Sequence, residues 1–513
     1  MAFNWYTTDL FEDAKVWVSK SGNFDDTMEF AAEASEVTSS YGERDENGNY
    51  IFGEVKEDKE GEPVEDENGE PVINGYYTDR QAHGAEWMSG DYGHIELTDV
   101  TEYSYKAQAA ELEPNSTYSY KVGSESGEVS EIGTFKTSGE SGDPFKFVHY
   151  TDTQNAFWNE NVRNEASFGA NTLMNALETA GDADFVLHTG DVVETAEVED
   201  EWVDLFGQSQ PYFMQAAMAV ASGNHDEYAL NYGDEPLTEK FNEHVNVPAA
   251  NDEIDGGSYY SFDYNGVHFV TLNTNDNESE DNPEGKAIGE EQMQWIREDV
   301  EAARDNGAEW IVLNYHKPLY SKSYHSLQDE DVQKVREELT ALIDELDIDL
   351  ALQGHDHVIS RTHSLTHVPT EENFSNAEDV ETFVGDNGVE YMEDPDGTVY
   401  VLPNTGGTKE YDDVYSKGLN HLHEVRPDLD WMTQEDMDHY NSLFGFGGQP
   451  QDTEAFEESH SNNRDSSTQN FAIYEVEDDE MIVSMYQLSG DFMLGEERNV
   501  ELVDQFGIQN GDN

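Results

Sequence analysis

Two histidines one residue apart can grip a single metal ion, and the stretch LQGHDHVISRT, residues 352–362, offers such a pair in His355 and His357. The pair follows the apolar run DIDLALQ, which reads as a buried strand. In extended backbone, residues i and i+2 point to the same side. The two imidazoles are therefore expected to share one small volume, with Asp356 directed away. A polar turn and a metal site both account for the pair, because neutral imidazole is the commonest side-chain ligand. The rest of the chain decides between them.

Four more apolar runs end in the same way. FVHYTDTQ delivers Asp152 and Gln154, and FVLHTGDVVE delivers Asp191 and Glu194. AVASGNHDE delivers Asn224, His225 and Asp226, and IVLNYHKP delivers His316. Any one of these could cap a helix or close a turn. Five strands that each finish on a metal-capable group are better explained as one site, at the carboxyl edge where open α/β sheets bind ligands. His149, His188, His363 and His421 lie in no motif and read as structural or solvated.

The elements that must carry these groups change character near residue 140. Before it, short alternating runs such as AKVWVSK, GHIELTDV and EIGTFKT are separated by turn residues, the pattern of an all-β sandwich. An acidic excursion over 43–75 repeats DENG at Asp45–Gly48 and Asp66–Gly69, predicting a pair of exposed hairpins. Calcium binding there is disfavoured because the carboxylates lack alternate-ligand spacing. SGESGDP, residues 138–144, reads as a linker. Beyond it strands alternate with helices, one over Glu165–Ala180 and others marked by Met293, Ile296 and Val300 and by Val332, Val335, Leu339 and Leu342. That alternation predicts parallel or mixed sheet sandwiched by helices.

At 513 residues the chain predicts two or three domains, and 25 Lys+Arg against 113 Asp+Glu leave a formal net charge of -88. Such a field argues against nucleic acid or an anionic membrane surface as a partner. With aromatics at 12% the chain is folded rather than acidic disorder, and it reads as adapted to high salt. There is no cysteine, so neither disulfides nor thiolate metal sites exist, and no apolar run approaches a membrane span. MAFNWYTT carries no basic leader, which leaves a secreted protein whose leader has been removed or the cytoplasm of a salt-accumulating cell. The first is the expectation taken forward; oligomeric state stays open.

The motif set resembles the calcineurin-like metallophosphoesterases, and GNHDE, HKPLYSKSYHS and GHDHVISRT resemble the purple acid phosphatase branch in particular. The resemblance implies an α/β metallophosphoesterase domain over 145–500, its sheets sandwiched by helices, with acidic insertions at 366–396 and 411–466. It also implies a fibronectin type III-like sandwich over 1–140. By the same resemblance, two divalent ions (Mn, Zn or Fe) are held by Asp152, Asp191 and His357 and by Asp191, Asn224, His316 and His355, with Asp191 bridging. A metal-bound hydroxide then attacks the phosphorus of a small phosphorylated substrate. His225 inherits contact with the phosphate and leaving group, with Asp226 expected to orient its ring. His325 inherits protonation of the leaving alcohol, against the plainer reading of a surface histidine in a loop.

Two positions depart from the family pattern. Gln154 stands where the wider family has histidine, and Glu194 where the purple branch has the tyrosine that binds ferric iron. Both touch the first metal and predict divalent ions and a colourless protein. The expected activity is phosphomonoester hydrolysis. A phosphodiesterase or nucleotidase of the same fold, and a non-catalytic extracellular binding protein, are the alternatives.

Overall fold

Strand Phe145–His149 is apolar on both sides, with Phe147 facing one layer and Val148 another, as a strand between two layers must be. In the computed structural model it pairs in parallel with Phe185–His188, which pairs in parallel with Ala217–Val220. Antiparallel pairing with Gln469–Glu477 continues this into an eight-stranded sheet. A second sheet, of seven strands, sets Val267–Thr271, Trp310–Asn314, Leu350–Leu352 and Val399–Pro403 side by side in parallel. The residues described are 1–56, 58, 59, 64, 71–78, 94–160, 163–231, 235–248, 259–278, 282–369, 375–448, 462–464 and 466–511.

The two sheets pack face to face, Phe147, Phe185 and Tyr474 meeting Phe269, Trp310 and Leu352 in one core. Helix Glu165–Ala180, capped by Asn164 accepting from the Ser167 N–H, lays Leu173 and Ala176 on the outer face of the first sheet. Helices Glu290–Asp305 and Glu330–Glu345 cover the second sheet through Ile296, Val300, Val335 and Leu339. Each such side chain, fully buried, contributes about 1.5–3 kcal/mol. The result is a four-layer arrangement, helices outside two facing sheets, in which the parallel strands of both sheets end at one edge.

A large β-rich region precedes it. The 15-residue strand Met28–Gly42 pairs with Lys15–Ser19 through its first residues and with Leu97–Gln108 through the remainder. It thus joins the two halves of one six-stranded sheet, whose strands bury Phe3, Val16, Val18, Tyr118 and Phe135 in a single cluster. The first DENG is a turn in which the Asp45 carboxylate accepts from the N–H groups of Asn47 and Asn49. Its stem is not exposed as expected: Tyr50 and Phe52 are buried against Phe157, Trp158 and Val198, and Arg44 pairs with Glu160 and Asp200. The second DENG lies outside the described residues.

The acidic segments after residue 366 are likewise built into the layers. Thr382–Val384 and Glu390–Glu393 complete the eight-stranded sheet, and Val414, Leu422, Leu429 and Tyr440 join the core under the second set of helices. Among the described residues no helix is long and apolar enough to cross a membrane.

Candidate metal centre

The loops that leave three of the five motif strands bend sharply at the site. Asp152, Gln154, Asp191 and His355 all adopt left-handed backbone, with φ of 52°, 40°, 54° and 68°. Non-glycine residues in that region carry strain, and such strain gathers where function holds it in place. Three glycines let the loops close. A Cβ on Gly190 would stand 2.7 Å from His316 Nδ1, one on Gly223 2.1 Å from the Asp191 nitrogen, and one on Gly354 2.9 Å from Asp152 Oδ2. The left-handed turn at His355 also corrects the extended reading of GHDH. Asp356 is not directed away: it is fully buried, and its Oδ1 lies 2.5 Å from His325 Nδ1.

Among the described residues three overlapping groups of ligand-type atoms result, each within 4.8 Å: Asp152, Asp191 and His357 in one, Asp191, His316 and His355 in the second, and His325, Asp329 and His355 in a third beside them. Asp191 is common to the first two. His316 donates Nδ1–H to the Thr189 carbonyl at 2.8 Å, and His357 donates Nδ1–H to the Lys409 carbonyl at 2.6 Å. A carbonyl can only accept, so these bonds fix both tautomers and aim both Nε2 atoms inward. The Asn224 amide gives its N–H to the Tyr228 hydroxyl at 2.7 Å, which turns Oδ1 toward His316.

These donors fit divalent ions. His316 Nε2 faces Asp191 Oδ1 at 3.1 Å, Asn224 Oδ1 at 3.1 Å and His355 Nδ1 at 3.2 Å. One proton cannot satisfy three acceptors. His357 Nε2 is buried with no hydrogen-bond partner and stands 3.3 Å from Asp152 Oδ1. A buried polar atom in that state is costly unless it ligates something. Burial opposes charge on His316, yet Asp191 raises its imidazole to about 9; burial likewise opposes charge on Asp191, whose carboxyl His316 holds well below the usual range. The site's own negative charge draws in a positive one. Burial and the neighbouring histidines keep His355 neutral, as a ligand must be, with its Nε2 3.1 Å from Asp329 Oδ2.

Both candidate acids lie at this edge. His225 donates Nδ1–H to the Glu194 carbonyl at 2.8 Å, while its own backbone N–H reaches Asp191 Oδ1 at 3.0 Å. Asp226 does not orient that ring; its carboxylate accepts the N–H groups of Val192, Val193 and Gly223, tying two motif loops together. His325 begins the short helix His325–Gln328, with its ring 4.3 Å from that of His355, so it is no loop-surface histidine. Gln154 gives its side-chain N–H to Asp191 Oδ2 at 3.2 Å. Glu194 belongs to none of these ligand groups but pairs with Arg464. Burial would raise its carboxyl, yet Arg464, His225 and Lys409 hold it down at about 2.

The motif reading missed Asp329, Lys409 and Arg464. The signal for Lys409 was present: VYVLP is a sixth apolar strand, and NTGGTK follows it. Asp329 and Arg464 have no motif around them. Of the histidines outside motifs, His149 and His188 are buried in hydrogen bonds to Thr189 and Thr153, and His421 pairs with Asp412.

Residues 145–359 match the family model described as calcineurin-like phosphoesterase. Over 206 residues the chain is 26% identical to purple acid phosphatase 23 of Arabidopsis thaliana, covering 40% of this chain and 37% of that protein. Probable inactive purple acid phosphatase 9 of the same plant is 27% identical over 214 residues, 37% of this chain and 32% of that protein. The matches thus span less than two fifths of those relatives' lengths. The structure of purple acid phosphatase PPD1 from yellow lupin (Lupinus luteus) seeds aligns with a TM-score of 0.59 at 17% identity, over 99% of this chain and 72% of that one, a likeness of fold. The chain carries a calcineurin-like phosphoesterase domain. Purple acid phosphatases are its homologues.

Proposed function

We propose that this protein hydrolyses phosphate esters, most readily small monoesters, at a centre for two divalent ions. Asp152, Asp191 and His357 hold one ion; Asp191, Asn224, His316 and His355 hold the other. The observation that carries this reading is the convergence of two inward-facing Nε2 atoms, on His316 and His357, upon carboxylates that share Asp191. Divalent ions bound there supply the Lewis acidity that clamps a phosphate and makes a water nucleophilic near neutral pH.

The chain's own residues supply position and protons. Gln154 and the His225 backbone N–H restrain the two oxygens of Asp191. The Glu194 carbonyl sets the His225 tautomer for contact with the phosphate, and Asp356 orients His325 to protonate the leaving oxygen. The named activity of the Arabidopsis relatives supports this chemistry. The inactive relative's name keeps a non-catalytic alternative in view, but here every candidate ligand and both acids stand at one edge.

We read the N-terminal β-rich region as a fibronectin type III-like sandwich, supported by the single core that its strands bury around Phe3, Val16, Tyr118 and Phe135. The charge of -88 supports a high-salt setting, which a secreted protein and the cytoplasm of a salt-accumulating cell both provide. The test of function is turnover of an aryl phosphate by protein loaded with manganese, zinc or iron. Asp191→Ala should lose bound metal and turnover together. Full activity in that variant, or after chelation, would overturn the two-ion reading.

A further inference from the structure

A buried cation stands beside the centre with no role in the proposed ligand set. Lys409 follows strand Val399–Pro403 through the glycine-rich NTGG, and its carbonyl holds His357 in place. Its own side chain is a different matter. The residue is 7% exposed, and the nearest carboxylate oxygen, Glu194 Oε2, is 3.7 Å from Nζ. Among the described residues no acceptor lies within hydrogen-bond distance of that ammonium. Its N–H donors are therefore available to a ligand oxygen.

Glu194 pairs with Lys409 only at 3.7 Å, because Arg464 engages the same oxygen more closely. Arg464, itself 4% exposed, bonds Glu194 Oε2, Glu165 Oε2 at 2.8 Å and the Gln154 carbonyl at 3.0 Å. Glu194 thus anchors one cation tightly and holds the other loosely at its margin. His225 Nδ1 stands 3.5 Å from the same Glu194 Oε2, so the Lys409 ammonium and the imidazole assigned to the phosphate flank one carboxylate oxygen. The Lys409 ammonium also stands over the Tyr411 ring, 5.5 Å from its centroid.

We infer that Lys409 binds a non-bridging oxygen of the substrate phosphate, with Glu194 and Arg464 positioning its ammonium, and that this selects dianionic monoesters over monoanionic diesters. The inference rests on the phosphoesterase reading and adds to it a residue that would set its preference for monoesters. A monoester brings two formal charges and three non-bridging oxygens; a diester brings one charge and two such oxygens, so it gains less from a further cation.

The test uses metal-loaded full-length protein and compares Lys409→Met and Lys409→Arg with the unaltered chain. Lys409→Met should raise KM for an aryl phosphate, and the inhibition constant of inorganic phosphate, about 10- to 100-fold, the loss expected for one charge-assisted bond. The kcat/KM for a bis-aryl diester should change by less than about 3-fold, and Lys409→Arg should recover most of the phosphate affinity. Bound metal per chain and melting temperature should stay unaltered. Equal losses on both esters, loss of metal, or unchanged phosphate inhibition would overturn the inference alone. Calorimetric binding of inorganic phosphate gives an arm that needs no turnover. If the unaltered chain hydrolyses neither ester, the phosphoesterase reading fails, while phosphate affinity that still depends on Lys409 would keep the pocket.

Discussion

His325 Nδ1 lies 2.5 Å from Asp356 Oδ1, although Asp356 separates the two metal-type histidines of GHDH. One tripeptide therefore serves both the ion site and the acid beside it. With Nδ1 held by a carboxylate, Nε2 is the nitrogen that delivers a proton. Asp356→Asn should lower kcat about 100-fold for an alkyl phosphate, whose leaving group needs that proton, and much less for a nitrophenyl phosphate. His325→Gln should match it, and the double variant should be no worse than either. Equal losses on good and poor leaving groups would remove the acid role.

Gly223→Ala should cost metal before it costs the fold. Its new Cβ would stand 2.1 Å from the Asp191 nitrogen and 2.2 Å from Asp191 Oδ1, so the bridging carboxylate must move. The expected outcome is loss of bound metal with about 1–3 kcal/mol of destabilisation from overpacking. Gly207→Ala, in helix Glu199–Phe213 with nothing within 4 Å, is the control and should stabilise by about 0.5–1 kcal/mol. Stoichiometric metal in Gly223→Ala would show that the loop relaxes around the methyl.

What the sequence reveals of this site follows the range of the interactions. Asp152, Asp191, Asn224, His316, His355 and His357 are legible because each sits directly past an apolar strand, and parallel pairing carries strand ends to one edge. The helix faces at Ile296, Val300, Val335 and Leu339 are legible for the same local reason. Arg464 is not, because its partners Glu194 and Glu165 are 270 and 299 residues away. The role of Asp356 was misread because an i, i+2 rule assumes extended backbone, and His355 at φ 68° breaks it. The acidic stretches looked like insertions by composition, yet a minority of apolar residues such as Val414, Leu429 and Tyr440 seats them in the core.

Stability should depend on His268. Its ring nitrogens lie 2.8 Å from Asp263 Oδ1 and 2.9 Å from Asp299 Oδ2, joining the hairpin around Asn265 to helix Glu290–Asp305. Burial opposes the charge, but Asp299 and Asp263 raise the imidazole above its ordinary value. A raised folded-state pKa stabilises fully below the unfolded value of about 6.5, and that stabilisation is lost as pH rises through the folded value. Denaturant melts of the intact chain should therefore show a loss that begins above about pH 6.5. His268→Gln should abolish that component, and a variant with the same pH profile would refute the assignment.

Salt should stabilise the fold and the activity together. A formal charge of -88 repels itself and any phosphate, and molar salt shortens the screening length to about 3 Å. Melting temperature and kcat/KM for an aryl phosphate should both rise from dilute buffer toward molar potassium chloride. A melting temperature indifferent to salt would remove the high-salt reading while leaving the chemistry untouched.

Colour tests the first ion's surroundings. In the purple relatives the colour comes from charge transfer between a tyrosinate and ferric iron, and here Glu194 stands at that place, tied to Arg464. Among the tyrosines at the centre, the one beside the first ion's ligands is Tyr411, from the strand Glu410–Tyr411, whose ring lies 4.6 Å from that of His357 at 44°. That is the geometry of a ring packed alongside a ligand's imidazole, and the same ring lies 5.2 Å from His325. A packing role keeps His357 and His325 in place without an oxygen on the ion. Iron-loaded protein should therefore be active yet show no intense visible band, and Tyr411→Phe should leave metal content and spectrum unchanged. An intense band that disappears in Tyr411→Phe would show that Tyr411, arriving from a distant strand, has taken over the ligand position that Glu194 gave up.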